Sequence, residues 1–124
     1  MADPQPGKPW PIELRLKSEE RRLEIDFDDG ARYSLPAELL RVESPSAEVR
    51  GHGGEEKMIV PGKRLVGIKA LEPAGHYALR IVFDDGHDTG LFTWDYLYEL
   101  GLRQDEIFET YLKALDARGL SRDR

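Results

Sequence analysis

Apolar and polar residues alternate with a period of two along much of the first three quarters of the chain, and shift to a helical period near the end. Ile12, Leu14 and Leu16 alternate with Glu13, Arg15 and Lys17, as on a half-buried strand. Ser18-Glu19-Glu20 supplies a polar turn, and Leu23, Ile25 and Phe27 form the apolar side of a second strand. Asp29-Gly30 turns the chain into a return strand over 31–34, and Pro36 suits the first turn of a short helix ending near Leu40. The pattern resumes with a strand over 65–71, a turn at Pro73-Ala74-Gly75, and a strand through Tyr77, Leu79, Ile81 and Phe83. Asp85-Gly86 then predicts a two-residue type I′ hairpin, in which both central residues take positive φ, with a return from His87 to Phe92. Thr93 is a good N-cap for a helix that Gly101 would stop. A second helix is predicted over 104–118 with Gly119 as its stop; Ile107, Phe108, Tyr111, Leu112 and Leu115 share one face, expected to lie on the sheet.

The stretch 23–30 echoes the stretch 79–86: Leu-x-Ile-x-Phe-Asp-Asp-Gly occurs in both, each followed by a short return and a helix. Two copies of a strand–turn–strand–helix unit would explain this, as would convergent hairpin chemistry. Residues 43–64 break the pattern. They are polar, rich in glycine and aperiodic, a long loop in which Met58 to Val60 could be briefly extended. Residues 1–10, with three prolines, read as a flexible arm that Trp10 could anchor, residues 11–119 as one domain, and residues 120–124 as a frayed tail. The fold class expected is α+β, mainly antiparallel sheet with two C-terminal helices.

Composition narrows the chemistry. At 124 residues there is room for one core and not for a catalytic domain plus an accessory one. A net charge of −6 argues against nucleic acid as a partner, and no apolar run could span a membrane. The amino-terminal segment lacks the pattern of a signal peptide, so a cytoplasmic protein is expected. There are no cysteines, hence no disulfide, thiolate nucleophile or cysteine-ligated metal.

The Asp-Asp-Gly triplets suit turns better than acid–base pairs, since adjacent carboxylates in a tight turn diverge into water. None of His52, His76 and His87 has the spacing of a facial iron triad, and nothing in their spacing favours a three-histidine zinc site. His76 reads as a strand-entry residue. Ser44 and Ser46 lack the setting of a nucleophile elbow, and Gly51, Gly53 and Gly54 are not followed by the Lys-Ser/Thr of a phosphate loop. Phe92, Trp94, Tyr96 and Tyr98 suit a core, or an exposed aromatic edge for a protein partner.

Two passages together resemble the γ-butyrobetaine-hydroxylase-like N-terminal domain family. One is Leu35-Pro36-Ala37-Glu38-Leu39-Leu40-Arg41-Val42 with the following Ser44 to Gly51; the other is Phe83-x-Asp85-Gly86-His87-x-x-Gly90-Leu91-Phe92-x-Trp94-Asp95-x-Leu97. The resemblance covers about residues 11–101. In metal-binding members the first passage carries Cys-x-Cys-x-x-Cys and the second a histidine, together a tetrahedral zinc site. Those positions fall here on Ser44, Ser46, Val49 and His87, so one ligand of four survives, and the resemblance implies no tight zinc and no resident cofactor. The family's hydroxylases carry a separate iron- and 2-oxoglutarate-dependent domain for which this chain has no room. Similar domains are joined to P-loop ATPases that handle iron–sulfur clusters, which implies an indirect link to iron metabolism through a partner.

The expectation is therefore a non-catalytic accessory or adaptor domain with an unidentified protein partner. Its contact surface would include the loop over 43–57, with His52, and the turn at His87; Trp94 is a further candidate contact. The alternative is a labile metal or small-ligand site built from His87, His52 and the loop carboxylates Glu48, Glu55 and Glu56. The oligomeric state is left open.

Overall fold

The computed structural model describes residues 8–45 and 59–123. Strands β1 (Pro11–Lys17), β2 (Arg22–Phe27) and β3 (Arg32–Pro36) form one antiparallel meander, followed by helix α1 (Ala37–Val42). Strands β4 (Ile68–Ala74), β5 (Ala78–Phe83) and β6 (Leu91–Thr93) form a second, followed by α2 (Trp94–Leu102) and α3 (Gln104–Ala117). The class is α+β, as the alternation implied. Leu23, Ile25, Phe27 and Leu35 from the first sheet meet Leu79, Ile81, Phe83 and Phe92 from the second in one core, closed by Leu39, Leu40, Leu97 and Leu100 of the helices.

The echo in the sequence is an echo in space. The Phe27 amide donates to Ala31 O and the Gly30 amide to Phe27 O; the Phe83 amide donates to His87 O and the Gly86 amide to Phe83 O. Asp28 and Asp84 each accept from the amide of the residue just before the first strand of its sheet, Trp10 N and Gly67 N, both at 3.0 Å. The middle strands match as well: Leu23 pairs with Leu35, and Leu79 with Phe92. Even the first strands share an irregularity, between Pro11 and Glu13 in β1 and between Ile68 and Ala70 in β4.

The hairpin turns differ from the type I′ expectation. Only the glycines have positive φ, +92° at Gly30 and +95° at Gly86, while the aspartates stay in ordinary space. The loops are thus three residues long, with the glycine as bulge, and the aspartate side chains cap the backbone from within.

Each copy's helix docks on the other copy. Tyr98 of α2 donates its hydroxyl to Asp29 in the first turn at 2.7 Å, and Arg41 of α1, at the matching position, donates to Asp85 in the second at 2.8 Å. Gly101 lies against the Tyr33 ring so closely that a Cβ would stand 2.2 Å from it; at the matching place Gly90 lies against Ser44. This is why Gly101 does not stop α2, which runs through Leu102. The close approach, rather than a cap, demands glycine there.

Other boundaries moved for local reasons. β4 extends to Ala74 and includes Pro73, because it pairs only with β5 and its outer edge does not call for an N–H there. The turn therefore falls at 75–77, and His76 is an exposed turn residue rather than a strand entry. The return strand shrinks to β6, since Arg80 takes the Asp88 carbonyl and Gly90 is pressed on Ser44. α3 does not lie flat on the sheet: Ile107 and Phe108 reach the main core, whereas Tyr111 and Leu115 form a small second core with Val42, Ile59 and Val60, and Leu112 faces outward. Gly119 ends α3 as expected, with Leu120 N on Leu115 O.

Trp10 itself is held to the body: it meets Trp94 edge-on at 6.4 Å, its carbonyl accepts from the Asp28 amide and its amide donates to the Asp28 carboxylate; residues 1–7 of the expected arm lie outside the described residues. Of residues 120–124, expected as a frayed tail, Ser121 to Asp123 are hydrogen-bonded to the body and Arg124 lies outside the described residues. Of the long loop, Glu43 to Pro45 and the stretch from Ile59 are described, and Ile59–Val60 is not a strand.

Replacing Gly101 with Ala is expected to destabilise the protein by about 2 kcal/mol or more, through overpacking against Tyr33. Gly86→Ala should cost about 1 kcal/mol, from backbone strain alone. Urea denaturation of the two variants checks the order.

Candidate functional site

The turn between β5 and β6 and the end of α1 meet in one place. Ser44 Oγ lies 3.0 Å from His87 Nε2. Ser44 is buried and His87 half-buried. Their meeting follows from the exchange of helices: α1 delivers Ser44 to the other copy's turn, where Gly90, lacking a side chain, leaves room for it. In the first copy the matching place holds Ala31 where the second has His87, and the Tyr33 ring fills it against Gly101. The two copies thus offer one polar pair, not two.

Beside this pair, Asp85 gathers three donors. Lys63 Nζ stands 2.6 Å and Arg41 Nε 2.8 Å from its Oδ2, while the His87 amide donates to Oδ1 at 3.1 Å. Burial alone would raise this carboxyl's pKa, but the bonds from Lys63, the His87 amide and Arg41 outweigh it and hold it at about 2. Because the folded value lies below the ordinary carboxylate value, the cluster stabilises the fold above pH 4 and loses that contribution as pH falls towards 2.

Two tyrosines fix the roots of residues 46–58. The Tyr96 hydroxyl, in α2, donates to the Glu43 carbonyl at 2.5 Å; the Tyr111 hydroxyl, in α3, donates to the Val60 carbonyl at 2.5 Å. Burial is the main reason both hydroxyls titrate high, Tyr111 at about 12. Between these roots and α3 runs a groove of about 220 Å³ with Val42, Ile59, Val60, Ile107 and Tyr111 on its walls and Arg103 and Glu106 at its rim.

Of the residues singled out from sequence, Ser44 and His87 are brought together. Ser46, Val49 and His52, with Glu48, Glu55 and Glu56, lie outside the described residues. Trp94 is half-buried and engaged elsewhere: its indole N–H donates to His76 O, its amide bonds Tyr77 O, and its ring meets Trp10. Sequence reasoning did not find the Asp85 cluster or the tyrosine clamps. The repeat held a signal for the first, since Arg41 occupies the place of Tyr98 and Asp85 that of Asp29. Nothing in the sequence marks Tyr96 and Tyr111 as clamps, because their acceptors are backbone carbonyls.

An α+β domain of two like-built units, with its polar pair where they meet, is the architecture these residues define. A family model for "Gamma-butyrobetaine hydroxylase-like, N-terminal" matches residues 14–98, and the chain belongs to that family. Among solved structures, one determined by NMR is 50% identical, with a TM-score of 0.82 over 94% of this chain and 92% of that one. A second NMR structure is 47% identical, with a TM-score of 0.81 over 98% and 91%. A crystal structure of a protein of unknown function of the DUF971 family from Acidithiobacillus ferrooxidans is 42% identical, with a TM-score of 0.62 over 73% of this chain and 91% of that one. No curated protein matches.

Of the positions that the sequence resemblance aligned with zinc ligands, the two described ones offer one imidazole and one neutral hydroxyl, and Val49 has no donor atom in its side chain. Such a set does not fit a thiolate-rich zinc centre. Among the described residues no three of His, Cys, Asp and Glu are grouped to hold a metal. No described helix is long and apolar enough to cross a membrane.

Two outcomes are expected. The stability difference between wild type and Asp85→Asn, about 1–2 kcal/mol at pH 6, should shrink steadily between pH 4 and pH 2, followed by urea melts across that range. Tyr96→Phe should cost about 1–2 kcal/mol by leaving the Glu43 carbonyl without its donor, and should displace the His87 resonances in the folded variant's NMR spectrum.

Proposed function

We propose that this domain is a non-catalytic accessory module that docks a protein partner. The face used carries the Ser44–His87 pair and both roots of residues 46–58. The observation that carries the reading is the pinning of those roots by two part-buried hydroxyls beside a mainly apolar groove that Arg103 and Glu106 also line. An apolar floor with charges at its edge suits an apolar anchor side chain from a partner protein. The Ser44–His87 bond supports the same reading, since it occupies the imidazole nitrogen with a neutral hydroxyl instead of a thiolate-bound metal. Family membership adds the link to iron or iron–sulfur protein metabolism, which would come through the partner.

The test is capture of a partner by the full chain in the presence of chelator, compared with Ala114→Glu, which puts a charge on the groove wall while circular dichroism checks the fold. Capture that survives chelator and falls at least tenfold in the variant is the expected result. Capture abolished by chelator and indifferent to Ala114→Glu would instead favour a labile metal site around His87, which NMR titration with zinc and anaerobic ferrous iron would then map.

A further inference from the structure

On another part of the molecule the stretch 121–123 lies against the 62–64 segment, Glu38 and Phe108. The Gly62 amide donates to Ser121 O at 2.9 Å and the Arg64 amide to Arg122 O at 3.1 Å, so residues 121–122 add to the 62–64 segment through main-chain bonds. The side chains are then recognised one at a time. Arg122 forms a two-point pair with Glu38 at 2.7 and 2.8 Å, and its guanidinium lies 5.2 Å from the centre of the Phe108 ring. Asp123 forms a two-point pair with Arg64 at 2.6 and 3.1 Å.

Main-chain addition for affinity, combined with pockets that read successive side chains, is how extended peptides are recognised. The two-point geometry selects arginine over lysine at the first position and a carboxylate at the next. We propose that this groove is a recognition site for an extended segment carrying Arg-Asp, and that residues 120–123 are its ligand in cis.

Glu38 fixes the chemistry of any competing ligand. Its carboxylate is only 6% exposed, so a departing Arg122 would leave a buried charge without a partner. Only a segment that supplies its own guanidinium can displace the chain's end without that penalty. The groove lies at the start of α1 and the side of α3 facing it, and uses neither Ser44 nor His87. The proposal is therefore independent of the docking face described above.

The test uses the full chain with Arg122→Ala and Asp123→Ala together, which empties both side-chain pockets. A peptide copying Leu120–Asp123 is titrated in and the Gly62 and Arg64 amides are followed by NMR. The expected result is saturable shifts of both amides at millimolar peptide. The response should be at least tenfold weaker in wild type, where the cis segment competes, and at least tenfold weaker for a peptide with alanine in place of the arginine. Absence of shifts, or equal responses to the two peptides, overturns the proposal. If the double variant fails to fold, Asp123→Asn loosens only the exposed pair with Arg64, and the same two peptides decide on it.

Discussion

Neither three-stranded sheet of this protein can bury its apolar face alone, and the helix that follows each one crosses to the other. That exchange is the constraint on which the rest depends. It places Gly101 under Tyr33 and Gly90 under Ser44, approaches that admit no side chain. It also aims one polar group of each helix, Tyr98 or Arg41, at the aspartate of the opposite turn. The core of Leu, Ile and Phe from both sheets forms because the exchange brings them face to face.

The candidate site is a by-product of the same geometry. A helix end and a hairpin turn from different copies converge, so small differences between the copies decide what stands there. Ala31 and the Tyr33 ring make one junction apolar, whereas His87 and Ser44 make the other polar. Asp85 stabilises the polar junction by tying the turn to α1 through Arg41 and to the far root of residues 46–58 through Lys63. The docking face and the pocket for the chain's end lie on either side of this framework and draw on different residues.

Much of the fold was legible because it rests on short-range pattern. The alternation at 14–16, 23–27 and 79–83, the capping by Thr93 and the stop at Gly119 are all local signals, and the repeat of Leu-x-Ile-x-Phe-Asp-Asp-Gly marked the two like-built units, whereas Ile12 and Tyr77, read as strand positions facing the core, are exposed. What was not legible depends on contacts between distant residues. Gly101 reads as a helix stop in sequence, because nothing near it announces the Tyr33 ring. Pro73 reads as a strand end, because an edge position is a property of the sheet. In the site, the family resemblance pointed to Ser44 and His87 together, whereas the tyrosines that hold the roots of the loop act on carbonyls that any residue could offer.

The exchange of helices also sets the order in which the chain can become stable as it is synthesised. The first copy is complete by Glu43, yet Arg41 and Ser44 lack their partners until Asp85, His87 and Gly90 have been made, and Tyr33 of β3 lacks its cover until Gly101 arrives. The apolar face of β1–β3 therefore meets its partners Leu79, Ile81, Phe83, Phe92, Leu97 and Leu100 only when the second half of the chain has been made. Contacts of this long sequence separation slow folding and leave sticky surface open in the interval. A duplication that interlocks its copies thus gains a junction at which a site can form, at the cost of a nascent chain that cannot fold by halves.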